Sequence, residues 1–111
     1  MPPRDPGFRI ADILREAEKI LRYVEELDRR SFERDERTVD AVLKCLAVIG
    51  EAASRLPDSV TNNYPSIPWK DIRGMRNIVI HEYFGVSLDV VWRTATVDVP
   101  ELIAALNPKS R

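Results

Sequence analysis

Between Phe8 and Arg29 the apolar residues fall at Ile10, Ile13, Leu14, Ala17, Ile20, Leu21, Val24 and Leu27. Steps of three and four residues place them on one stripe of an α-helix, and no Gly or Pro interrupts the stretch. Arg15, Glu16, Glu18, Lys19, Arg22, Glu25 and Glu26 fill the remaining faces and read as a solvated surface. Asp28 to Arg34 is polar and reads as a short connection. The same spacing then returns at Val39, Val42, Leu43, Leu46, Ile49, Ala53 and Leu56, which predicts a second long helix over residues 35–56. Two long helices joined by a short link pack as an antiparallel hairpin. Gly50 lies inside the second helix, where Gly costs about 1 kcal/mol relative to Ala. The expected compensation is the close approach of another backbone at that point.

Pro57 to Pro68 is rich in Pro, Asn and Ser and reads as a loop, with one helical turn at Asp58–Asn62. Pro68 suits the first turn of a third helix, running to about Glu82 and closed by Gly85. Ser87 is a candidate N-cap for a helix over Leu88–Thr96. Asp98, before Val99-Pro100-Glu101, restarts a helix that reaches Leu106, and Asn107-Pro108 ends it. No β-hairpin signal and no internal repeat is present. The predicted fold class is all-α: a small helical bundle built on a long antiparallel hairpin plus two or three shorter helices, in a single domain over residues 1–111.

Composition narrows the function classes. A chain of 111 residues buries roughly 65% of its unfolded surface, enough for one core. With 44% apolar and 32% charged residues, disorder over most of the length is excluded. Lys and Arg number 17 against 18 Asp and Glu, and both halves are balanced, so no global field draws the chain to nucleic acid or an anionic membrane. A nucleic-acid contact must come from a local patch, or from one doubled by a partner. A single Cys excludes an internal disulfide, and no Cys/His cluster is available for zinc. The N-terminal residues lack the apolar region of a signal peptide. The longest apolar run is six residues, Cys45 to Gly50, where a bilayer span needs about 20. No membrane association and a cytoplasmic location are expected.

The only histidine is His81. On an ideal third helix Ile72, Met75, Val79 and Tyr83 form the apolar face, while Lys70, Arg73, Asn77 and His81 share a polar one. One reading of His81 is a solvated surface residue. The other is chemical: imidazole moves protons near neutral pH, and the Arg76 guanidinium binds phosphate and steadies developing charge. The five-residue spacing sets Arg76 and His81 about 140° apart on an ideal helix. They converge only if the helix ends near His81 or a second chain contributes. Cleavage through a neighbouring 2′-hydroxyl also wants one proton acceptor and one donor, and a two-fold dimer supplies two histidines and two arginines. Glu51, in Ile49-Gly50-Glu51-Ala52-Ala53, either anchors Arg76 or Arg73 from a facing helix or is solvated. Cys45 reads as a small buried hydrophobe, Trp69 and Trp92 as packing anchors, and Tyr64 as a loop pin. Tyr83 is core by helical phase, or exposed if the helix breaks before Gly85.

Arg76-Asn77, then His81 and Tyr83, resembles the R-x4-H-x-Y motif of HEPN domains, and more narrowly the HepT-like toxins of that superfamily. Ile49-Gly50-Glu51-Ala52, Tyr64-Pro65, Ile67-Pro68-Trp69, Ile72-Arg73-Gly74-Met75, Val91-Trp92 and Val99-Pro100-Glu101-Leu102 extend the resemblance along nearly the whole chain. It implies a helical bundle that is commonly a homodimer, with the motif facing a cleft between protomers. It implies a metal-independent endoribonuclease with no cofactor, in which Arg76 and His81 are catalytic and Asn77 supports the site. It also implies the toxin of a toxin–antitoxin pair acting on cellular RNA, with tRNA a candidate. Tyr83 would be the hydroxyl to which an MntA-type nucleotidyltransferase antitoxin adds AMP. That group would fill the cleft with bulk and negative charge, and it favours an exposed Tyr83. Lys70 and Arg73 would guide the RNA backbone, and Glu51 would support the site. The competing reading is a non-catalytic nucleotide- or RNA-binding partner of a nucleotidyltransferase; a third is a structural helical partner without a nucleotide role.

Overall fold

The computed structural model describes residues 5–77 and 87–107. Helix α1 spans Pro6–Val24, and the Asp5 carboxylate caps it by accepting the Gly7 N–H at 2.7 Å. Its predicted stripe is inward: Ile13, Ala17, Ile20 and Val24 are buried, with Ile10, Leu14 and Leu21 packed at their edge. The helix ends at Val24, earlier than the periodicity suggests.

Arg29–Arg34 is a second helix, α2, where the sequence predicts a connection. Asp28 and Ser31 form a reciprocal cap. The Asp28 carboxylate accepts the Ser31 N–H at 2.8 Å, and the Ser31 hydroxyl accepts the Asp28 N–H at 3.2 Å. These bonds hold the Asp28 carboxyl below its ordinary value, the Ser31 hydroxyl contributing most. Phe32 is fully buried and lies 5.2 Å from the Trp92 ring. One aromatic anchor on a capped turn thus makes a helix of a stretch too polar to show a stripe.

Helix α3 covers Glu36–Ser54 and is capped by Asp35, whose carboxylate accepts the Thr38 N–H and hydroxyl at 3.2 and 2.7 Å. All seven apolar positions predicted for this helix and its end, from Val39 to Leu56, are buried. Among the described residues helices α1 and α3 make the most extensive pairing, the predicted hairpin. One residue departs from the expected face. Glu16 is buried at 6% exposure, with Lys19 Nζ at 3.4 Å and Arg15 Nε at 3.6 Å. Its position explains this: it stands three residues after Ile13 and four before Ile20, inside the stripe, and the two cations compensate the buried charge. Cys45 of α3 is buried beside it, and burial first, then the Glu16 charge, pushes the thiol up to about 11.

Helix α4 is one turn, Asp58–Thr61, close to the turn expected in the loop. Trp69 is buried, and its indole N–H donates to the Thr61 and Tyr64 carbonyls, each at 3.2 Å. The Tyr64 ring stands edge-on to Trp69 at 6.3 Å. Tyr64 therefore pins the loop as expected. Helix α5, Trp69–Gly74, tightens into a 3₁₀ turn at Met75–Asn77, so the predicted third helix is not one continuous α-helix. Its predicted continuation to Glu82 lies outside the described residues.

Helix α6 spans Leu88–Arg93. Ser87 precedes it but its side chain makes no capping bond. The backbone then widens into a π-turn over Thr94–Asp98 and continues as α7, Val99–Leu106. The expected restart at Asp98 does not occur: Asp98 is helical (φ −71°, ψ −39°) and caps nothing. Pro100 offers no N–H and its ring crowds the preceding turn. Widening relieves this, with the Val99 N–H donating five residues back to the Thr94 carbonyl. Val91, Ala95, Val99, Leu102 and Leu106 complete the core. No strand occurs among the described residues, and the fold is an all-α bundle.

Candidate functional site

The site is built where α3 meets the 3₁₀ turn. A Cβ placed on Gly50 would overlap the Arg76 backbone nitrogen and lie 3.1 Å from the Arg73 carbonyl oxygen. The glycine expected to admit a second backbone therefore admits the segment that carries both arginines. Met75 and Ile72 are buried and hold this segment to the core, while Arg76 and Asn77 are exposed.

Glu51 follows Gly50 and joins two guanidiniums. Its Oε1 accepts the Arg55 Nε–H at 2.8 Å, and its Oε2 lies 3.6 Å from Arg76 Nη1. Of the two readings of Glu51, the structure has the one in which it meets Arg76, although the side chain also keeps 47% exposure. Its carboxyl is held below the ordinary value, chiefly by the Arg55 hydrogen bond and then by the charges of Arg55 and Arg76.

Glu51, Arg55, Asp58, Arg73 and Arg76 line one open depression. Three guanidiniums face two carboxylates there, a local positive excess on a chain of net charge −1. Lys70 is exposed and lines a different depression, with Asp71, Thr94 and Asp98. The structure thus brings Arg73, Arg76 and Glu51 together and leaves Lys70 apart. His81 and Tyr83 lie outside the described residues. Among the described residues no group of three His, Cys, Asp or Glu side chains is placed to hold a metal ion.

Arg55 is the residue that sequence reasoning passes over. Its signal is local: Glu51 and Arg55 stand four apart on a helix, a spacing that pairs opposite charges. A polar depression with surplus guanidinium can hold an anion such as a phosphodiester.

The fold and site define an all-α bundle with three arginines and two carboxylates at the junction of α3 and the 3₁₀ turn. The chain belongs to the HepT-like ribonuclease family, which matches residues 13–108. It is 39% identical over 102 residues to the Methanocaldococcus jannaschii protein named "Putative RNase MJ0125", covering 92% of this chain and 88% of that one. It is 37% identical over 93 residues to "Probable ribonuclease HepT" of Thermococcus cleftensis, covering 84% of each. No solved structure matches the chain. No helix among the described residues is long and apolar enough to cross a membrane.

Proposed function

We propose that this chain is a metal-independent endoribonuclease and the toxin of a toxin–antitoxin pair. The observation that carries the reading is the seat of Arg76: backbone set into Gly50, guanidinium at the surface beside Glu51. The anchored backbone and the neighbouring carboxylate bias this guanidinium toward the surface where a phosphate oxygen would sit, and a charge placed in advance is how stabilisation lowers a barrier. Family membership supports the same chemistry.

In this mechanism His81 takes the proton from a ribose 2′-hydroxyl as its oxygen attacks the adjacent phosphorus. Arg76 steadies the negative charge that builds on the phosphate, and the second histidine of a homodimer protonates the leaving 5′-oxygen. Asn77 and Glu51 hold the site in place. Arg73 meets the RNA backbone at the same depression, whereas Lys70, in a separate depression with Asp71 and Asp98, takes no part in it. A nucleotidyltransferase antitoxin of the MntA type silences the enzyme by adding AMP to Tyr83, which fills the cleft with bulk and charge. The site of action is cytoplasmic RNA, tRNA included.

The test is Arg76→Ala and His81→Ala, each assayed for cleavage of total RNA in EDTA and for mass in solution. Both variants are expected to lose cleavage while remaining dimeric. Full cleavage by either, or by a chain held monomeric, overturns the composite site. RNA protected but uncut by the wild-type protein selects the non-catalytic binding reading instead.

A further inference from the structure

Arg55 has no part in that mechanism, yet it shares a carboxylate with the residue at its centre. Glu51 engages the Nε–H of Arg55 through one oxygen and Nη1 of Arg76 through the other. An arginine has five N–H donors. Among the described residues only the Nε–H of the Arg55 guanidinium is hydrogen-bonded, and the side chain is 58% exposed. Glu51 therefore orients this guanidinium without exhausting it.

We propose that Arg55 is a second phosphate-binding residue of the site, held beside Arg76 by their shared Glu51, and that it contacts an RNA phosphate adjoining the one Arg76 meets. The inference rests on the ribonuclease reading for its substrate. The ligand class follows from charge. The depression carries three guanidiniums and two carboxylates, one net positive charge. Glu51 stands between two of the cations, so a compact multiply charged anion spanning both would meet that carboxylate. A strand with one charge per linkage places a phosphate on each guanidinium and keeps the carboxylate between them. Removing Arg55 would bring the lining to neutrality, so each arginine weighs heavily in strand affinity.

The experiment measures binding of a short 2′-O-methylated single strand, which lacks the attacking hydroxyl, as a function of salt. Wild-type protein, Arg55→Ala and Arg55→Lys are compared, and cleavage of native RNA is followed in parallel. Each phosphate contact adds about 0.7 to the slope of log K against log salt for single strands. Arg55→Ala is expected to lower the slope by about that amount, and Arg55→Lys to restore it. Recovery of the slope in Arg55→Lys, which returns the charge but not the Nε–H bond to Glu51, separates a phosphate contact from a role in orienting Glu51. An unchanged slope in Arg55→Ala, or no strand binding by the wild-type protein, overturns the proposal. Strand binding with the expected slope change but no cleavage of native RNA sinks the catalytic reading and leaves the Arg55 contact standing.

Discussion

Gly50 and Arg76 occupy one mould: the space that a side chain would take on α3 is filled by the backbone nitrogen of the arginine. The contact ties the position of a candidate catalytic residue to the absence of a methyl group on a different helix. It also explains why a glycine is tolerated inside a nineteen-residue helix, four residues before its end.

Gly50→Ala tests the relationship, because two effects of opposite sign compete. Alanine gains about 1 kcal/mol of helix propensity, but overpacking a fixed site costs about 1–3 kcal/mol. The obstruction is backbone, which cannot rotate away, so the second effect wins. The variant is expected to unfold at lower denaturant and to cleave RNA more slowly than wild type. A more stable Gly50→Ala protein with unchanged cleavage would show that the 3₁₀ turn yields freely.

Phe32 carries the helix that the polar pattern hides. It is fully buried and stacked at a tilt on Trp92. Phe32→Ala is expected to destabilise the fold by about 3–5 kcal/mol, a large share of a typical total of about 5–15 kcal/mol. Denaturant titration followed by tryptophan fluorescence measures it. A loss under about 1 kcal/mol would mean that α2 is only loosely docked.

The long hairpin was legible because Ile13, Ala17 and Ile20, and likewise Val42, Leu46 and Ile49, repeat at helical spacing and are all buried. Helix α2 was not, because Asp28 to Arg34 holds one apolar anchor and its cap pairs Asp with Ser where a Glu or Gln would announce a capping box. The π-turn was hidden for a different reason. Asp98 before Val-Pro has the chemistry of a helix start, while its backbone is already helical. Glu16 reads as surface by residue type, although its register places it in the buried stripe. At the site, Gly50 foretold a close approach, and the structure supplies the identity of what approaches. The guanidinium pair on Glu51 needed coordinates, since Arg55 and Arg76 are distant in sequence and meet only through the fold.

Cys45 sits 1% exposed beside Glu16, with its thiol pushed up to about 11. The thiolate is the reactive species, so almost none is present at neutral pH. Native protein is expected to resist an aromatic disulfide reagent at pH 8, and to react with one equivalent once denatured. Rapid stoichiometric labelling of the folded protein would place Cys45 at the surface and contradict its packing.

Glu51 gives a pH signature that reports directly on the arginine pair. Its folded carboxyl titrates below its ordinary value of 4.5, with Arg55 the first cause and Arg76 a lesser one. A lowered acid contributes stability that is fully present above pH 4.5 and is lost as pH falls through the folded value. For exposed partners that contribution stays below about 1 kcal/mol, so carboxyl resonances are the sharper readout. By ¹³C titration the Glu51 midpoint is expected below 4.5 in wild type. It should rise toward 4.5 in both Arg55→Ala and Arg76→Ala, and further in Arg55→Ala. A midpoint at or above 4.5 in the wild-type protein, or an equal midpoint in all three, would mean that Glu51 does not bind the two guanidiniums in solution. A larger rise in Arg76→Ala than in Arg55→Ala would reverse the order of the two contacts, making the 3.6 Å pair the stronger one.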